Sequence, residues 1–592
     1  TSQVTRYCRQ GRIEGAIKRN GSWLIPQQAQ KPECGKKSVA GVNQSGAAPR
    51  RPLPVGVSSY KDACSNYYYI DKTMMIRDFL DERPKVALFT RPRRFGKTLT
   101  MDRLRTFFEL TDVDTSVYFQ DKLFWQQGAA YQAAQGRYPV VYLSFKDAKK
   151  NNWAQTLEHI AQLITSEYRR HGALKTSPRI LNRDYYERIV DGTADRNQLD
   201  TSLRELTQML HEHYGVAPVV MIDEYDTPIQ QGYAKGFYED TVDFMRNLFS
   251  GAFKDNDHLT YGFLTGILRV AKESIFSGLN NLKIYSVLDN SFSQYFGFTE
   301  DEVRQMAQYY RAEDALPELC DWYDGYRFGE TEIFNPWSVI NYFSNDCKPS
   351  PFWENTGSNT IIGDILEQAG EEIYDQLNAM LQGEEITTLI DTNVIYPEIR
   401  KNPSTIYSFL LVAGYLKLAK VAMSPGGAFI GRVSLPNREI AYVYKKEVLG
   451  KLSRFVPQAV SVSLQEALYL GDAGALQKHI HRFLLESVSS FDLVNENAYH
   501  MLVLGLCAIL RDKYELRSNR ESGAGRFDIQ LMPKGPVLPG ILIEIKHRKD
   551  CQPEQLNELA DEGISQINRK QYDAELRSRG VKTAVKYGVA FS

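Results

Sequence analysis

Three consecutive residues have the types and order of a phosphate-binding loop. Gly96, Lys97 and Thr98 follow the apolar run "KVALFT" and the basic loop "RPRRF". In the pattern G-x-x-x-x-G-K-[ST], backbone N–H groups at a helix N-terminus bind phosphate oxygens, the lysine reaches the terminal phosphates and the hydroxyl holds Mg²⁺. The position of the first glycine is Arg91. The spacing therefore predicts a nucleotide site with an altered first position.

Two acids at the end of another apolar run complete this pattern. Asp223 and Glu224 close the run "VVMI". In nucleotide-hydrolysing sites, an acid at such a strand end supports Mg²⁺ and its neighbour polarises the attacking water. We assign these roles to Asp223 and Glu224, respectively; the alternative is a solvated strand end. Together with the lysine loop, the pair predicts ATP and Mg²⁺ as cofactors.

The loop itself is rich in arginine where the generic pattern has glycine. Arg91, Arg93 and Arg94 reduce its flexibility, and Pro92 removes one N–H donor. Guanidinium groups form forked hydrogen bonds with phosphate oxygens. We therefore expect these three arginines to compensate by binding the nucleotide.

A second set of chemically suited residues lies near the C-terminus. Asp528 lies in "GRFDIQLMP", and Glu544 and Lys546 lie in "GILIEIKHRKD". Residues two apart on a strand face the same side, so Glu544 and Lys546 converge, and Asp528 joins them if the strands pair. Two carboxylates can hold Mg²⁺ or Mn²⁺, while a lysine orients or deprotonates the attacking water. The alternative is a salt-bridged surface strand.

This second set resembles the D-x(n)-E-x-K pattern of the PD-(D/E)XK nuclease superfamily, with Phe-Asp in place of Pro-Asp. The resemblance implies two further site residues, the additional acid Glu496 on the preceding helix and Gln566 on the following helix. The adjacent "KHRKD" (546–550) adds the basic charge that phosphate contacts require. We therefore expect a metal-dependent nuclease acting on nucleic acid, with DNA as the expected substrate.

The sequence around the first site predicts strands that alternate with helices. Apolar runs at 85–90, 138–145, 217–226 and 259–267 are separated by helical stretches, which favours a parallel sheet covered on both faces. After about residue 300 the composition becomes more helical and aromatic, as in "DWYDGYRFGETEIFNPWSVINYF" (321–343) and "SFLLVAGYLKLAK" (408–420).

The last part of the chain returns to an α/β pattern. We predict a helix near 492–511, strands near 526–532 and 540–546, a helix near 554–572 and a closing strand. The expected fold class is multidomain α/β: a P-loop parallel sheet with a helical or winged-helix lid, and a C-terminal restriction-endonuclease-like α/β domain. The predicted domains are a partial helix-turn-helix (1–33), a flexible linker (34–52), an ATPase (53–300), a lid (301–440) and a nuclease-like domain (441–592).

Five stretches carry a specific resemblance over nearly the whole chain from Leu53. They are "LPVGVSSYKDACSNYYYIDKTMMIRDFL", "LFTRPRRFGKTLTMDRL", "YPVVYLSFKD", "VVMIDEYDTPI" and "GFLTGILRVAKESIFSGLNNLKIYSVLD". They resemble the AAA-ATPase-like family of bacterial proteins, whose loop reads R-P-R-R-F-G-K-[ST], so Arg91 follows the family pattern. The resemblance implies an ATP-binding module.

The same resemblance implies roles for further residues. By position, Thr265 resembles a sensor at the end of the fourth strand. Arg269 is a candidate γ-phosphate sensor or arginine finger, with a surface arginine as the alternative. The "YxDKT" element, here Asp71 to Thr73, is expected to border the nucleotide. Asp226 is expected either to do the same or to stabilise the turn before Pro228.

Composition limits the other function classes. Lys+Arg 71 against Asp+Glu 72 gives a net charge of -1, so nucleic-acid binding needs local basic patches. Seven cysteines without framework spacing point to a reducing compartment, and no apolar run approaches a membrane span. We expect a cytoplasmic bacterial protein, with a homo-oligomer possible because many such ATPases use a neighbour's arginine.

The N-terminal stretch adds a further hypothesis. "TSQVTRYCRQGRIEGAIKRNGSWLIP" is an amphipathic helix, a glycine turn and two short strand-like runs. It resembles the second helix and wing of an excisionase-like helix-turn-helix; the alternative is a basic tail. The combined interpretation is an ATPase that controls a nuclease in defence or mobile-element biology. Its rival is a nucleotide-switched DNA-binding regulator or scaffold with a non-cutting nuclease fold.

Overall fold

The chain forms two compact units, Thr1–Arg50 and Arg51–Ser592. The computed structural model describes residues 17–19, 22–24, 50–269, 276, 279–353, 371–381, 383–391, 396–399, 403–423, 429–444, 458–487, 496–507, 510, 513–522, 525–535, 538–549 and 551–592. In the first unit, strands β1 (Ile17–Arg19) and β2 (Ser22–Leu24) pair antiparallel, as the strand-like runs predicted. The predicted helix before them and the linker lie outside the described residues.

A five-stranded parallel sheet forms the centre of the first α/β region. Its strands are β3 (Val86–Thr90), β4 (Val140–Ser144), β5 (Val219–Asp223), β6 (Tyr261–Gly266) and β7 (Leu282–Tyr285). The spatial order is β4-β5-β6-β3-β7, and every pair is parallel. The four apolar runs predicted as strands are confirmed. The edge strand β7 was missed because "LKIY" is short and only partly buried.

Helices alternate with these strands along the chain. They are α1 (Tyr60–Asn66), α2 (Met74–Glu82), α3 (Lys97–Phe108), α4 (Ala129–Gln132), α5 (Trp153–Arg170), α6 (Arg183–Asp191), α7 (Arg196–Tyr214), α8 (Thr227–Lys235) and α9 (Tyr238–Phe253). The turn from β3 into α3 passes through Gly96, whose φ of 76° is a left-handed conformation that glycine adopts without steric cost. Lys97 and Thr98 therefore open a helix directly after a buried strand.

The following region is helical and then turns into a small sheet. It contains α10 (Glu300–Tyr310), α11 (Leu316–Tyr323), β8 (Tyr326–Phe328), β9 (Thr331–Ile333), α12 (Pro336–Ser344), α13 (Glu371–Leu381), β10 (Ile386–Ile390), α14 (Pro403–Ala413), β11 (Lys417–Met423) and β12 (Phe429–Ser434). From α13 onward the element order and the antiparallel sheet order β10-β12-β11 are typical of a winged helix. A further helical segment covers 438–444.

The run 408–420, in the part of the chain with a more helical and aromatic composition, is helical only in its first half. Helix α14 ends at Ala413 because Gly414 has a φ of 87°, and the chain continues as β11 from Lys417. Gly414 also packs against the phosphate-binding loop: a Cβ added there would lie 2.7 Å from Cβ of Pro92. Glycine is thus required both for the turn and for this close contact.

The C-terminal region has a four-stranded mixed sheet. Its elements are α15 (Gln458–Leu470), α16 (Ala473–Ser487), α17 (Glu496–Cys507), β13 (Tyr514–Ser522), β14 (Gly525–Pro533), β15 (Gly540–His547), α18 (Pro553–Arg569), α19 (Ala574–Ser578) and β16 (Ala584–Phe591). The order is β13-β14-β15-β16; the first two pairs are antiparallel and the last is parallel. The predicted helices and three predicted strands are confirmed, whereas the polar strand β13 was missed.

Apolar packing joins the parallel sheet to the winged-helix-like region. One continuous core runs from Tyr60 through the sheet to Tyr444, and separate cores lie on the two faces of the C-terminal sheet. Among the helices in the described ranges, none is long and apolar enough to cross a membrane.

Candidate nucleotide and nuclease sites

The predicted magnesium-binding pair of the first site meets at the end of β5. Thr98 Oγ1 donates to Asp223 Oδ2 over 2.8 Å, and Thr265 Oγ1 donates to Asp223 Oδ1 over 2.5 Å. Thr265 reaches Asp223 because β6 lies between β3 and β5. Burial raises the pKa of Asp223, and these two hydroxyls oppose that rise by stabilising the carboxylate.

Lys97 is buried inside the loop that precedes it. Its Nζ donates to the carbonyl oxygens of Arg91 (3.0 Å) and Pro92 (2.8 Å). Burial lowers the pKa of Lys97, while the charge of Glu224 opposes that change. An ammonium has three N–H donors. One donor therefore remains for a phosphate oxygen after the two carbonyl contacts.

The expectation that Arg91 binds phosphate is corrected by the structure. Arg91 is fully buried, donates to the carbonyls of Thr90 and Tyr285, and lies over the rings of Phe296 (4.9 Å) and Phe328 (5.3 Å). Burial lowers its pKa to about 9. The side chain faces the core behind the loop, so it anchors β3 to β7 rather than contacting a ligand.

The other two loop arginines do face the cavity. Arg93 Nη2 donates to Gln230 Oε1 over 3.0 Å, and the Arg94 guanidinium lies 4.3 Å from the ring centre of Trp337. Arg94 has a φ of 69°, a conformation that is uncommon for residues other than glycine. Both arginines therefore lie where the sequence predicted. They are beside Gly96 and Lys97 and near Glu224, which follows the end of β5.

The cavity above the loop has a volume of about 540 Å³. Charged and hydroxyl groups come to it from the C-terminal ends of β3, β4 and β5. Aromatic groups also line it, among them Tyr68 and Tyr69 from the segment before α2, Phe298 from the segment before α10, and Trp337 from α12. A cavity with one charged and one aromatic lining suits a nucleotide, whose phosphates and base differ in the same way.

Glu224 and Asp226 take different positions in this cavity. Glu224 is partly exposed, with a φ of 53°, and its Oε2 accepts from Thr227 Oγ1 over 3.2 Å. Asp226 is buried, and its Oδ2 accepts from the backbone N–H groups of Ile267 (2.8 Å) and Leu268 (3.0 Å). Glu224 is thus accessible to a water, whereas Asp226 mainly fixes the loop after β6.

Two further predictions find less support in the geometry. Arg269 is not among the described residues that line the cavity, so its contact with a γ-phosphate stays a prediction. Asp71 accepts from the backbone and hydroxyl of Thr73, and Lys72 is paired with Glu302 at 2.6 Å. Among Asp71, Lys72 and Thr73, only Lys72 lines the cavity, and its charge is already balanced by Glu302.

At the second site, strand pairing brings the predicted residues together. Ile529 pairs with Ile543, and Asp528 Oδ2 accepts from the backbone N–H of Ile545 over 2.7 Å. Lys546 Nζ donates to Glu544 Oε1 over 3.1 Å. Burial, followed by the charge of Asp528, raises the pKa of Glu544 to about 7. The strands thus gather two acids and one lysine on one face.

Gln566 completes this group from α18. Its Nε2 donates to Glu544 Oε1 and to the Tyr572 hydroxyl, the latter over 3.2 Å. The helix approaches the sheet closely at Gly563 and Gly588; a Cβ added at Gly588 would lie 1.9 Å from the Ala560 carbonyl oxygen. These glycines set the distance between the sheet and α18, the helix that carries Gln566.

Glu496 begins α17, and its side chain lies outside the described part of the structure. One turn later in the same helix, His500 Nε2 lies 3.2 Å from the Asp528 carbonyl oxygen. The helix therefore runs beside the strand that carries Asp528. The role of Glu496 as a third acid stays a prediction.

The residues of the second site fit a divalent cation. Glu544 is 2% exposed, and its Oε2 has no hydrogen-bond partner among the described residues. A buried carboxylate oxygen without a donor is costly unless a cation or water satisfies it. In the described ranges, no group of three or more His, Cys, Asp or Glu side chains is placed to hold a metal. The candidate site thus rests on the Asp528–Glu544 pair.

Several lining residues were not predicted from the sequence. Lys146 and Lys149 follow β4 and line the nucleotide cavity, as do Tyr68 and Trp337. The lysines could have been found from their position after a strand that neighbours the acid strand. The aromatic residues come from separate regions, and their contact with the cavity depends on tertiary packing.

The fold and the two sites define a P-loop-like α/β domain followed by a nuclease-like α/β domain. Residues 54–276 match the family model described as predicted AAA-ATPase, and residues 494–592 match that of the PD-(D/E)XK nuclease superfamily. The chain thus contains a predicted AAA-ATPase-like domain and a C-terminal domain of the PD-(D/E)XK nuclease superfamily. It is also similar to an uncharacterised protein in the vnfD 5' region of Azotobacter chroococcum mcd 1, with 26% identity over 565 residues, 92% of this chain and 97% of the relative.

Proposed function

We propose that this protein binds and hydrolyses ATP and that its nucleotide state controls a metal-dependent nuclease acting on DNA. The observation that carries the proposal is the convergence of Asp528, Glu544, Lys546 and Gln566 on one face of the C-terminal sheet. A domain that binds nucleic acid without cutting it has no need for a buried carboxylate with an unfilled acceptor. The family matches support the ATPase-like and nuclease-like parts of this function.

At the nuclease site, Asp528 and Glu544 would hold Mg²⁺ or Mn²⁺, which supplies charge neutralisation of the phosphate. Lys546 lies beside Glu544 and orients or deprotonates the attacking water. Gln566 holds Glu544 Oε1 and so fixes the direction of the carboxylate. Each of these residues thus has a separate task in phosphodiester cleavage.

At the ATPase site, Thr98 and Asp223 would hold Mg²⁺, and Lys97 offers its remaining donor to the terminal phosphates. Glu224 polarises water from its accessible position, while Thr265 fixes Asp223. Arg93 and Arg94 add positive charge at the cavity wall. Gly414, which follows α14, packs on Pro92, so this contact would carry a change in the loop to the winged-helix-like region.

The nuclease half is tested by cleavage of single- and double-stranded DNA and RNA with Mg²⁺ or Mn²⁺, with and without ATP. Asp528→Ala should abolish cleavage and leave ATP hydrolysis intact, and Lys546→Ala should bind metal but cut poorly. Equal cleavage by Asp528→Ala and the wild type would show that the site is misplaced. No cleavage by the wild type under any condition would favour the regulator or scaffold instead.

The ATPase half is tested by nucleotide affinity and turnover. Lys97→Ala should lose ATP binding, because among the described residues no other lysine emerges from the loop. Glu224→Gln should bind ATP normally and lose hydrolysis. Undiminished ATP affinity in Lys97→Ala would contradict the assignment of the loop.

A further inference from the structure

We propose that Lys146 and Lys149 contact the terminal phosphate of the bound nucleotide from within the same chain. The inference deepens the proposed ATP hydrolysis and rests on it. Both lysines lie in the loop between β4 (Val140–Ser144) and α5 (Trp153–Arg170), and both line the nucleotide cavity together with Glu224. Their role is to stabilise negative charge at the phosphate that is transferred to water.

The loop that carries them is fixed to the strand end that carries the acids. The backbone N–H of Phe145 donates to the Asp223 carbonyl over 3.0 Å, and Gln231 Nε2 donates to the Lys150 carbonyl over 2.8 Å. Ala148, between the two lysines, is fully buried. The backbone is therefore held at both ends of the loop and in its middle, which limits where the lysines can reach.

The strand order gives the direction in which the phosphates run. The sheet is parallel, so the loops after β3, β5 and β4 lie along one edge. Lys97 and Thr98 lie after β3, and Glu224 lies after β5. A phosphate chain that starts at the loop and ends beside Glu224 points its terminal group toward β4, the next strand along that edge. Lys146 and Lys149 are the cations at this end.

Both lysines have the charge and the freedom that this role requires. Each is exposed, and neither forms a hydrogen bond or ion pair with another described residue. Asp147 lines the same cavity, so the three lining residues of this loop, Lys146, Asp147 and Lys149, carry one net positive charge. Positive charge beside a transferring phosphoryl group lowers the barrier because charge on its oxygens is stabilised.

The comparison of ATP with ADP separates this role from that of an ordinary solvated lysine, since ADP lacks the phosphate in question. In the full chain, Lys146→Ala/Lys149→Ala should weaken ATP binding or lower kcat by about tenfold or more. ADP affinity should stay within about threefold of the wild type. Lys150→Ala is the matched control because Lys150 is not among the described lining residues, and it should match the wild type for both nucleotides.

Rescue by a conservative change tests the charge directly. Lys146→Arg/Lys149→Arg should retain most of the hydrolysis that the double alanine variant loses. Equal effects of the double alanine variant on ATP and ADP, or no effect on either, would overturn the inference while leaving ATP binding by the wild type intact. Failure of the wild type to bind ATP would instead overturn the proposed function, and with it this inference.

Discussion

The buried carboxyl of Glu439, in the helical segment after β12, gives a prediction that depends on pH. Glu439 is 1% exposed; its Oε2 accepts from Ser338 Oγ over 2.7 Å and its Oε1 accepts from the Trp353 backbone N–H over 2.9 Å. Burial raises its pKa from the ordinary value of 4.5 to about 7, although these donors oppose the rise. Helix α12, which carries Ser338, also supplies Trp337 to the nucleotide cavity.

The direction and size of the change in stability with pH follow from the raised pKa of Glu439. The folded state prefers the protonated acid, so the stability from this group is fully present below pH 4.5 and is lost as the pH rises through about 7. One pKa unit corresponds to about 1.4 kcal/mol, so the total loss is about 3 kcal/mol. About 1.4 kcal/mol of this falls between pH 6 and pH 8.

Glu439→Gln removes this dependence and keeps the contacts. The amide oxygen accepts from the Trp353 N–H, and the Ser338 hydroxyl can turn to accept from the amide N–H₂. Thermal melting from pH 6 to pH 8 should show the wild type losing about 3–6 °C relative to the variant, since 1 kcal/mol shifts the melting temperature of a large domain by about 2–4 °C. Glu313→Gln, a change at an exposed carboxylate, is the control and should follow the wild type. A constant difference between Glu439→Gln and the wild type across this range would refute the reasoning.

The remaining predictions concern the loop, the nuclease helix and the N-terminus. Arg91→Met should keep the fold and ATP binding, because an apolar side chain of similar size can replace a buried charge. If calorimetry shows that the folded variant no longer binds ATP, Arg91 contacts the phosphate after all. Gly588→Ala should lower the free energy of unfolding by about 1–3 kcal/mol or more, because the added Cβ would meet the Ala560 carbonyl. It should also lower the rate of cleavage, because the displaced helix carries Gln566. Wild-type melting and cleavage in that variant would contradict the close packing. Deleting residues 1–33 should reduce duplex DNA affinity and its salt dependence without removing cleavage; unchanged binding would mark the segment as a tail.

The local sequence indicated the strands that carry the candidate residues of both sites. A buried parallel strand must be apolar on both faces, so "KVALF" and "VVMID" were recognisable, and the residues after them lie at the same edge of the sheet. The two-residue period of a strand likewise placed Glu544 and Lys546 on one side. These rules depend only on neighbours in the chain, which is why they indicated the candidate site residues and predicted most of the strands.

Only the tertiary structure decided which of the loop arginines faces the cavity. Arg91, Arg93 and Arg94 are chemically alike in the sequence, yet Arg91 turns into the core because Tyr285 on the unpredicted strand β7 offers it a carbonyl. Contacts between distant segments likewise placed Thr265 on Asp223. Such contacts depend on strand order and on close approach between elements, and neither leaves a periodic signal in the chain.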